Sequence, residues 1–290
     1  MNASTNNSDP LYTNKNKFIM VIDSRNADNY NNGSSNSDMT FLFQEPIMIP
    51  KGAIKMTCCV LAFTAPNSIY NINKYNNYIH MYFGNPNVEV KVYIPYGNYN
   101  STTFMTQFLA SVLSANSTLG TGLSITLNPV TNRFTVSHTS TSLLFVYDST
   151  IGPVIGMANY ISLGYSGLGS SNCLFPYTCN FTCIQNINIH ITSMNTANID
   201  SLTKSDCNII QTIPVDSNQS QIMFIKTNDY AFTIKEDCID SITVTTSDDL
   251  GESIDWNNQH WNMTLYFTTY QDIDRFRSDN SFRQILKNGY

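Results

Sequence analysis

Ile94-Pro95-Tyr96-Gly97-Asn98-Tyr99 is the stretch on which the reading of this chain turns. It closes a strand-like run, Val88 to Ile94, with a proline and a glycine, the residues least suited to a strand interior. The hydrophobic period changes immediately afterwards. Phe104, Met105, Phe108, Leu109, Val112 and Leu113 recur at helical spacing and share one face of a short helix. Ser101 or Thr102 can cap its start, and Asn116 or the Gly120 region can end it.

Working outward from that helix, the chain reads as short strands. Upstream these are Lys17–Asp23, Met39–Phe43 (closed by Glu45-Pro46), Ile54–Ala65 and Tyr78–Phe83, with Pro66-Asn67-Ser68 as a turn. The apolar run Ile54–Ala65 is near-continuous and predicts a strand buried on both faces. Downstream of the helix, Leu123–Leu127 and Arg133–Ser137 form a hairpin around Asn128-Pro129-Val130-Thr131-Asn132, followed by Leu143–Tyr147. Gly152–Met157 can form a short helix, and the Gly-rich 163–169 segment closes the region. Strands then resume at Phe181–Cys183, Asn186–Thr192, Asn208–Pro214, Gln221–Lys226, Tyr230–Lys235, Ser241–Thr246 and Met263–Tyr270. Short strands at such spacing predict a mainly β fold, an antiparallel single jelly-roll sandwich carrying an α/β insertion domain. The expected division is a flexible N-terminal arm at 1–15, a jelly-roll domain at 16–94 and 171–270, an insertion domain at 95–170 and a C-terminal tail at 271–290.

Composition narrows the function classes. Charged residues make up 12% of the 290, about half the usual share, and 37 Asn supply much of the polarity. Aromatic residues reach 12%, with 17 Tyr and 16 Phe. That balance suits half-buried strands, Asn-bearing turns and a surface covered by neighbouring subunits, because charge is depleted at interface cores. The net charge is −6 and no Lys/Arg run occurs, which argues against nucleic acid as a partner. The polar first fifteen residues lack an apolar core, so no secretory signal is expected, and no apolar run is long enough for a membrane span. The seven cysteines, Cys58, Cys59, Cys173, Cys179, Cys183, Cys207 and Cys238, are then expected to be free thiols.

No catalytic, cofactor or metal residues are assigned. His80, His138, His190 and His260 have no partner at ligand spacing, and Cys179 and Cys183 lack a second pair for zinc. Asp248, Asp249, Glu252 and Asp255 form the one dense group of carboxylates. A calcium loop or a glycosidase pair (Glu252 with Asp255) is the chemical alternative there, and a solvated hairpin turn is the preferred reading. Trp256 and Trp261 bracket Asn257-Asn258-Gln259-His260. Core packing is favoured for them, with sugar stacking on Trp256 as the alternative. No nucleophile elbow, phosphate loop or dinucleotide fingerprint is present.

The order of motifs carries a resemblance. Ile-Pro-x-Gly-Asn-Tyr at 94–99, the paired-apolar helix, the hairpin with Asn-Pro-x-Thr-Asn-Arg-Phe at 128–134 and a Gly-terminated Leu-Gly segment resemble the insertion region of adenovirus penton base proteins. The chain looks closer still to penton and minor capsid proteins of virophages, Polinton-like viruses and large DNA viruses of protists. Further matches are Ile22-Asp23-Ser24-Arg25, Ser37-Asp38-Met-Thr-Phe, Pro66-Asn67-Ser68-Ile-Tyr70-Asn-Ile, Asn208–Pro214 and the Gly251–Phe267 closing hairpin with Trp261. The resemblance spans roughly residues 18–270. It implies a non-enzymatic structural protein of the virion, a penton standing as a homopentamer at icosahedral vertices beside a major capsid protein. It leaves open a minor capsid or cement role among other minor capsid proteins, and a host receptor for the insertion. A sugar-binding attachment sandwich is the reading of another class. No Arg-Gly-Asp triplet is present, so integrin binding does not carry over.

Overall fold

The computed structural model describes residues 15–271, apart from 32–35, 51–52, 85–87, 141–142, 147, 158–167, 171, 183, 193–197, 200–205, 219–220, 227–230 and 235. The expected arm (all but its last residue), the tail beyond Gln271 and most of the Gly-rich segment lie outside the described residues. The chain divides into two compact units. One runs up to Ile69 and resumes at Ile184; the other is Tyr70–Cys183. The second unit is broader than the expected 95–170, because the hairpin before Ile94 belongs with it.

The first unit holds β1 (Lys15–Asp23), β2 (Asn29–Tyr30), β3 (Asp38–Met48) and β4 (Ala53–Pro66). The second holds β5 (Tyr78–Phe83), β6 (Val88–Tyr93), α1 (Ser101–Ala115), α2 (Ser117–Gly120), β7 (Leu123–Asn128), β8 (Arg133–His138), β9 (Leu143–Phe145), α3 (Gly152–Ile155), β10 (Leu168–Ser170) and β11 (Asn172–Leu174). The first unit resumes with β12 (Asn186–Ile191), β13 (Asn198–Ile199), β14 (Asp206–Cys207), β15 (Ile209–Pro214), β16 (Ile222–Lys226), β17 (Phe232–Ile234), β18 (Cys238–Ser247) and β19 (Asn262–Gln271).

In the first unit the strands lie in two main antiparallel sheets. One has the order β1-β19-β4-β16, with β17 also on β4; the other has β15-β12-β18-β3-β2. The chain crosses from one sheet to the other between β3 and β4, β4 and β12, β15 and β16, β17 and β18, and β18 and β19, which is the wrapped connectivity of a single jelly roll. The core between the sheets is aromatic. Phe63 of β4 lies 5.9 Å from Trp261 and 6.1 Å from Trp256, and Phe41 of β3 meets Trp261 edge-on at 6.5 Å. Phe18 of β1 stacks on Phe267 of β19 at 4.7 Å, opposite it in register. Met56–Val60 are all buried, as the apolar run predicted.

Three strand details differ from expectation. Pro46 does not end β3, which continues to Met48. Ile47 pairs with Ile239 and Leu42 with Ser241, so the residues between them bulge out of register, and a proline there removes no ladder bond. Phe181 and Thr182 are irregular, not strand. β18 and β19 lie in opposite sheets, so the Gly251–Phe267 segment crosses between sheets and is no hairpin.

The second unit has its own core. Phe104, Phe108 and Val112 of α1 pack with residues such as Phe134 and Phe145 of its sheets. Among the described residues all its strand pairs are antiparallel, so helices and sheets form an α+β arrangement. The cap of α1 is Asn100, one residue before those expected. Its side chain accepts from Thr103 N while Thr103 Oγ1 accepts from Asn100 N, a reciprocal capping box. At the β7–β8 turn, Asn128 Oδ1 accepts from Val130 N and Thr131 N, and Asn132 takes φ 54°. The Asn-Pro-x-Thr-Asn spacing is a turn specification.

The Ile94–Tyr99 stretch is stapled to the start of this unit. Ile72 and Gly97 exchange both backbone hydrogen bonds, at 3.1 and 2.9 Å. Asn71 Nδ2 donates to Tyr99 O (2.7 Å) and Phe181 O (2.8 Å), and its Oδ1 accepts from Tyr99 N (2.9 Å). One asparagine therefore ties the segment where the chain enters the unit, the junction before α1, and the segment where it leaves.

Candidate functional site

The acidic group at the β18–β19 crossover is built from turn chemistry. Asp248 Oδ1 accepts from Leu250 N and Glu252 N, both at 2.8 Å. Burial pushes the Asp248 carboxyl above the usual aspartate range, against the pull of those backbone donors. Asp249 accepts from Gln185 N (3.0 Å), Asn186 N (3.1 Å) and Asn186 Nδ2 (2.8 Å), clamping the start of β12. Asp255 caps a turn by accepting from Asn257 N. Among the described residues no three His, Cys, Asp or Glu side chains converge as metal ligands. Two of the four carboxylates thus order their own turns and Asp249 holds the start of β12, and the preferred reading as a turn fits these partners.

Trp256 is fully buried, with Nε1 donating to Thr246 Oγ1 at 3.0 Å; Trp261 is equally buried, with Nε1 donating to Asn36 O at 2.9 Å. Neither indole face is open, so sugar stacking on Trp256 is overturned. Cys58, Cys59, Cys179 and Cys238 are free thiols, and the buried Cys173 Sγ donates to Leu143 O at 3.6 Å. Burial raises the Cys58 thiol well above its ordinary value and Cys59 to a lesser degree, while Cys238 is exposed.

One polar cluster escaped the sequence reading. His80 on β5 is 8% exposed; its Nδ1 lies 2.9 and 3.0 Å from the two Asp148 oxygens. Its Nε2 lies 3.1 Å from Glu89 Oε1 on β6, out of line for a hydrogen bond. Lys91 pairs with the same Glu89 oxygen at 3.1 Å and holds that carboxyl below its ordinary range. Tyr78, His80 and Tyr82 face Tyr93, Lys91 and Glu89 across the β5–β6 pair. The alternation in Tyr-x-His-x-Tyr and Glu-x-Lys-x-Tyr was the available signal, legible once the hairpin register is known. Asp148 and Lys91 give His80 Nδ1 and Glu89 their partners, His80 Nε2 has the Glu89 carboxylate beside it without a hydrogen bond, and the cluster presents no nucleophile.

The two faces of the jelly roll differ in chemistry. On the β15-β12-β18-β3 sheet the outward positions are hydrophilic over most of the sheet: Thr40 and Thr243 hydroxyls pair at 2.9 Å, and Thr212 Oγ1 donates to Asn188 Oδ1 at 2.8 Å, with Leu42 and Met48 on β3 as exposed apolar exceptions. On the β1-β19-β4-β16 sheet they are apolar at both edges. Ile19 (59% exposed) and Val21 (67%) project from β1, and Ile222 (70%) and Phe224 (64%) from β16. A sheet of an isolated sandwich is expected to turn polar residues outward. Here both edges of the β1-β19-β4-β16 sheet depart from that pattern.

No known protein family and no curated protein matches the sequence. Among solved structures, that of the selenomethionine-labelled mavirus penton protein is similar, with a TM-score of 0.45 and 10% identity, over 88% of this chain and 100% of that one. No helix among the described residues is long and apolar enough to cross a membrane.

Proposed function

We propose that this chain is a structural capsid protein without enzymatic activity, a penton that associates through the flanks of its jelly roll into pentamers at icosahedral vertices. The observation that carries the reading is the sandwich face with Ile19, Val21, Ile222 and Phe224 exposed along both edges, where a solitary domain would carry polar groups. Low charge throughout the chain agrees with surfaces covered by neighbours. The ordered motifs from Ile22 to Trp261, which resemble penton and minor capsid proteins, supply the capsid context.

Light scattering on the full-length protein, together with its copy number in purified virions, tests this. Five copies per vertex are expected. A protein that stays monomeric at high concentration and is absent from virions overturns the reading, and trimers between capsomers would make it a minor capsid protein instead.

A further inference from the structure

The two flanks of the sandwich are complementary in charge as well as in shape of exposure. The apolar face of the β1-β19-β4-β16 sheet bears Lys17, Lys55 and Lys226 beside its exposed Ile, Val and Phe side chains. Among the described residues of β1, β4, β16 and β19 its one outward carboxylate, Asp23, is already paired with Arg25 at 2.5 Å. On the other sheet, the far end of β3 exposes Leu42 (58%) and Met48 (59%). Around them stand the exposed carboxylates Glu45, Asp237 and Asp240, where β3 bulges against β18. One flank is apolar and cationic, the other apolar and anionic.

From this we infer that the occupant of the β1–β16 face is the β3–β18 flank of a second copy of this chain, in a head-to-tail contact. The inference rests on the self-association reading above and specifies its geometry. Two copies meeting through the same β1–β16 face would set three lysines against three lysines, which like-charge repulsion disfavours. Each copy carries both halves of the contact on different surfaces, so every copy accepts one neighbour and is accepted by another. Such an interface closes into a ring when the rotation per copy divides a full turn. The contact combines apolar burial with ion pairs exposed at its rim, so assembly is expected to weaken as salt rises.

Complementary blocked variants of the full chain test it. V21D/F224D blocks the face, and L42D/M48D blocks the flank; circular dichroism and melting curves confirm folding, since all four positions point to solvent. By native mass spectrometry each variant alone is expected to be monomeric, and an equimolar mixture to give one-to-one dimers and nothing larger. Should a double variant fail to fold, K226E is expected to weaken assembly and K226E/D240K to recover it. Dimers of L42D/M48D alone would overturn the inference in favour of face-to-face pairing. Wild-type-sized assemblies from V21D/F224D would overturn it too, and if deletion of residues 272–290 then enlarged the assemblies, the face would be covered by the chain's own C-terminal segment. A monomeric wild type overturns the self-association reading itself, whereas an oligomeric wild type whose variants still assemble overturns this inference alone.

Discussion

Trp256 donates its indole N–H to Thr246, whose hydroxyl faces the sandwich interior from β18. Replacing it with alanine removes a fully buried ring and strands that hydroxyl. Trp256→Ala is expected to destabilise the protein by about 3–5 kcal/mol in urea denaturation. Asp248 gives a pH signature. Its folded-state pKa is raised by burial, so its contribution to stability is fully present below the unfolded aspartate value near 4 and is lost as pH rises through the folded value. Asp248→Asn should flatten the stability profile from about pH 4 upward, read by denaturant midpoints at each pH. The thiols sort by the same logic. With Cys58 buried and its pKa raised, native-state alkylation followed by peptide mapping should label Cys238 readily and spare Cys58.

Among the elements, α1 depends on Asn100. Asn100→Ala removes the side-chain acceptor for Thr103 N and is expected to cost about 1 kcal/mol by thermal or chemical unfolding, with Asn100→Ser or Asn100→Asp largely restoring it. The strands were legible because their alternation or continuous apolarity is a local signal, and β4 is the clearest case. What the sequence concealed is decided by partners distant in the chain. Whether Pro46 ends a strand depends on the bulge it forms against β18. Asp248–Glu252 does turn the chain back on itself, Ser247 pairing with Ser253, but whether the chain then continues as a hairpin into β19 depends on which sheet receives β19. Asn100 outcompetes Ser101 and Thr102 as the cap because Thr103 sits three residues after it and completes the reciprocal box, a local pattern present in the sequence. The His80 cluster needed the β5–β6 register and the position of Asp148, which no local pattern supplies.

For the molecule as a whole, the second unit owns a core of residues drawn from its own helices and sheets. The segment Tyr70–Cys183 expressed alone is expected to fold and to unfold cooperatively, checked by heteronuclear NMR and calorimetry; a spectrum of unfolded dispersion would show that it needs the sandwich. Class and connectivity were readable as a β-rich chain interrupted by one change of period. The asymmetry between the two sandwich faces was not, because Ile19 and Phe224 look like core residues until the strand pairing turns them outward.

The Asn71 clasp gives the interruption an entropic meaning. A slack excursion of roughly a hundred residues between β4 and β12 would charge the jelly roll a loop-closure cost of about 4 kcal/mol. Because Asn71 grips Tyr99 and Phe181 together, the two ends of that excursion are already adjacent within its own folded form. To the sandwich, the long detour then behaves as a short connection, and the sheets can find their register as quickly as if it were absent. Variation in the length of the excursed chain beyond the clasp is thereby decoupled from the stability of the sandwich strands, leaving that region free to diversify in sequence while the jelly roll stays the same.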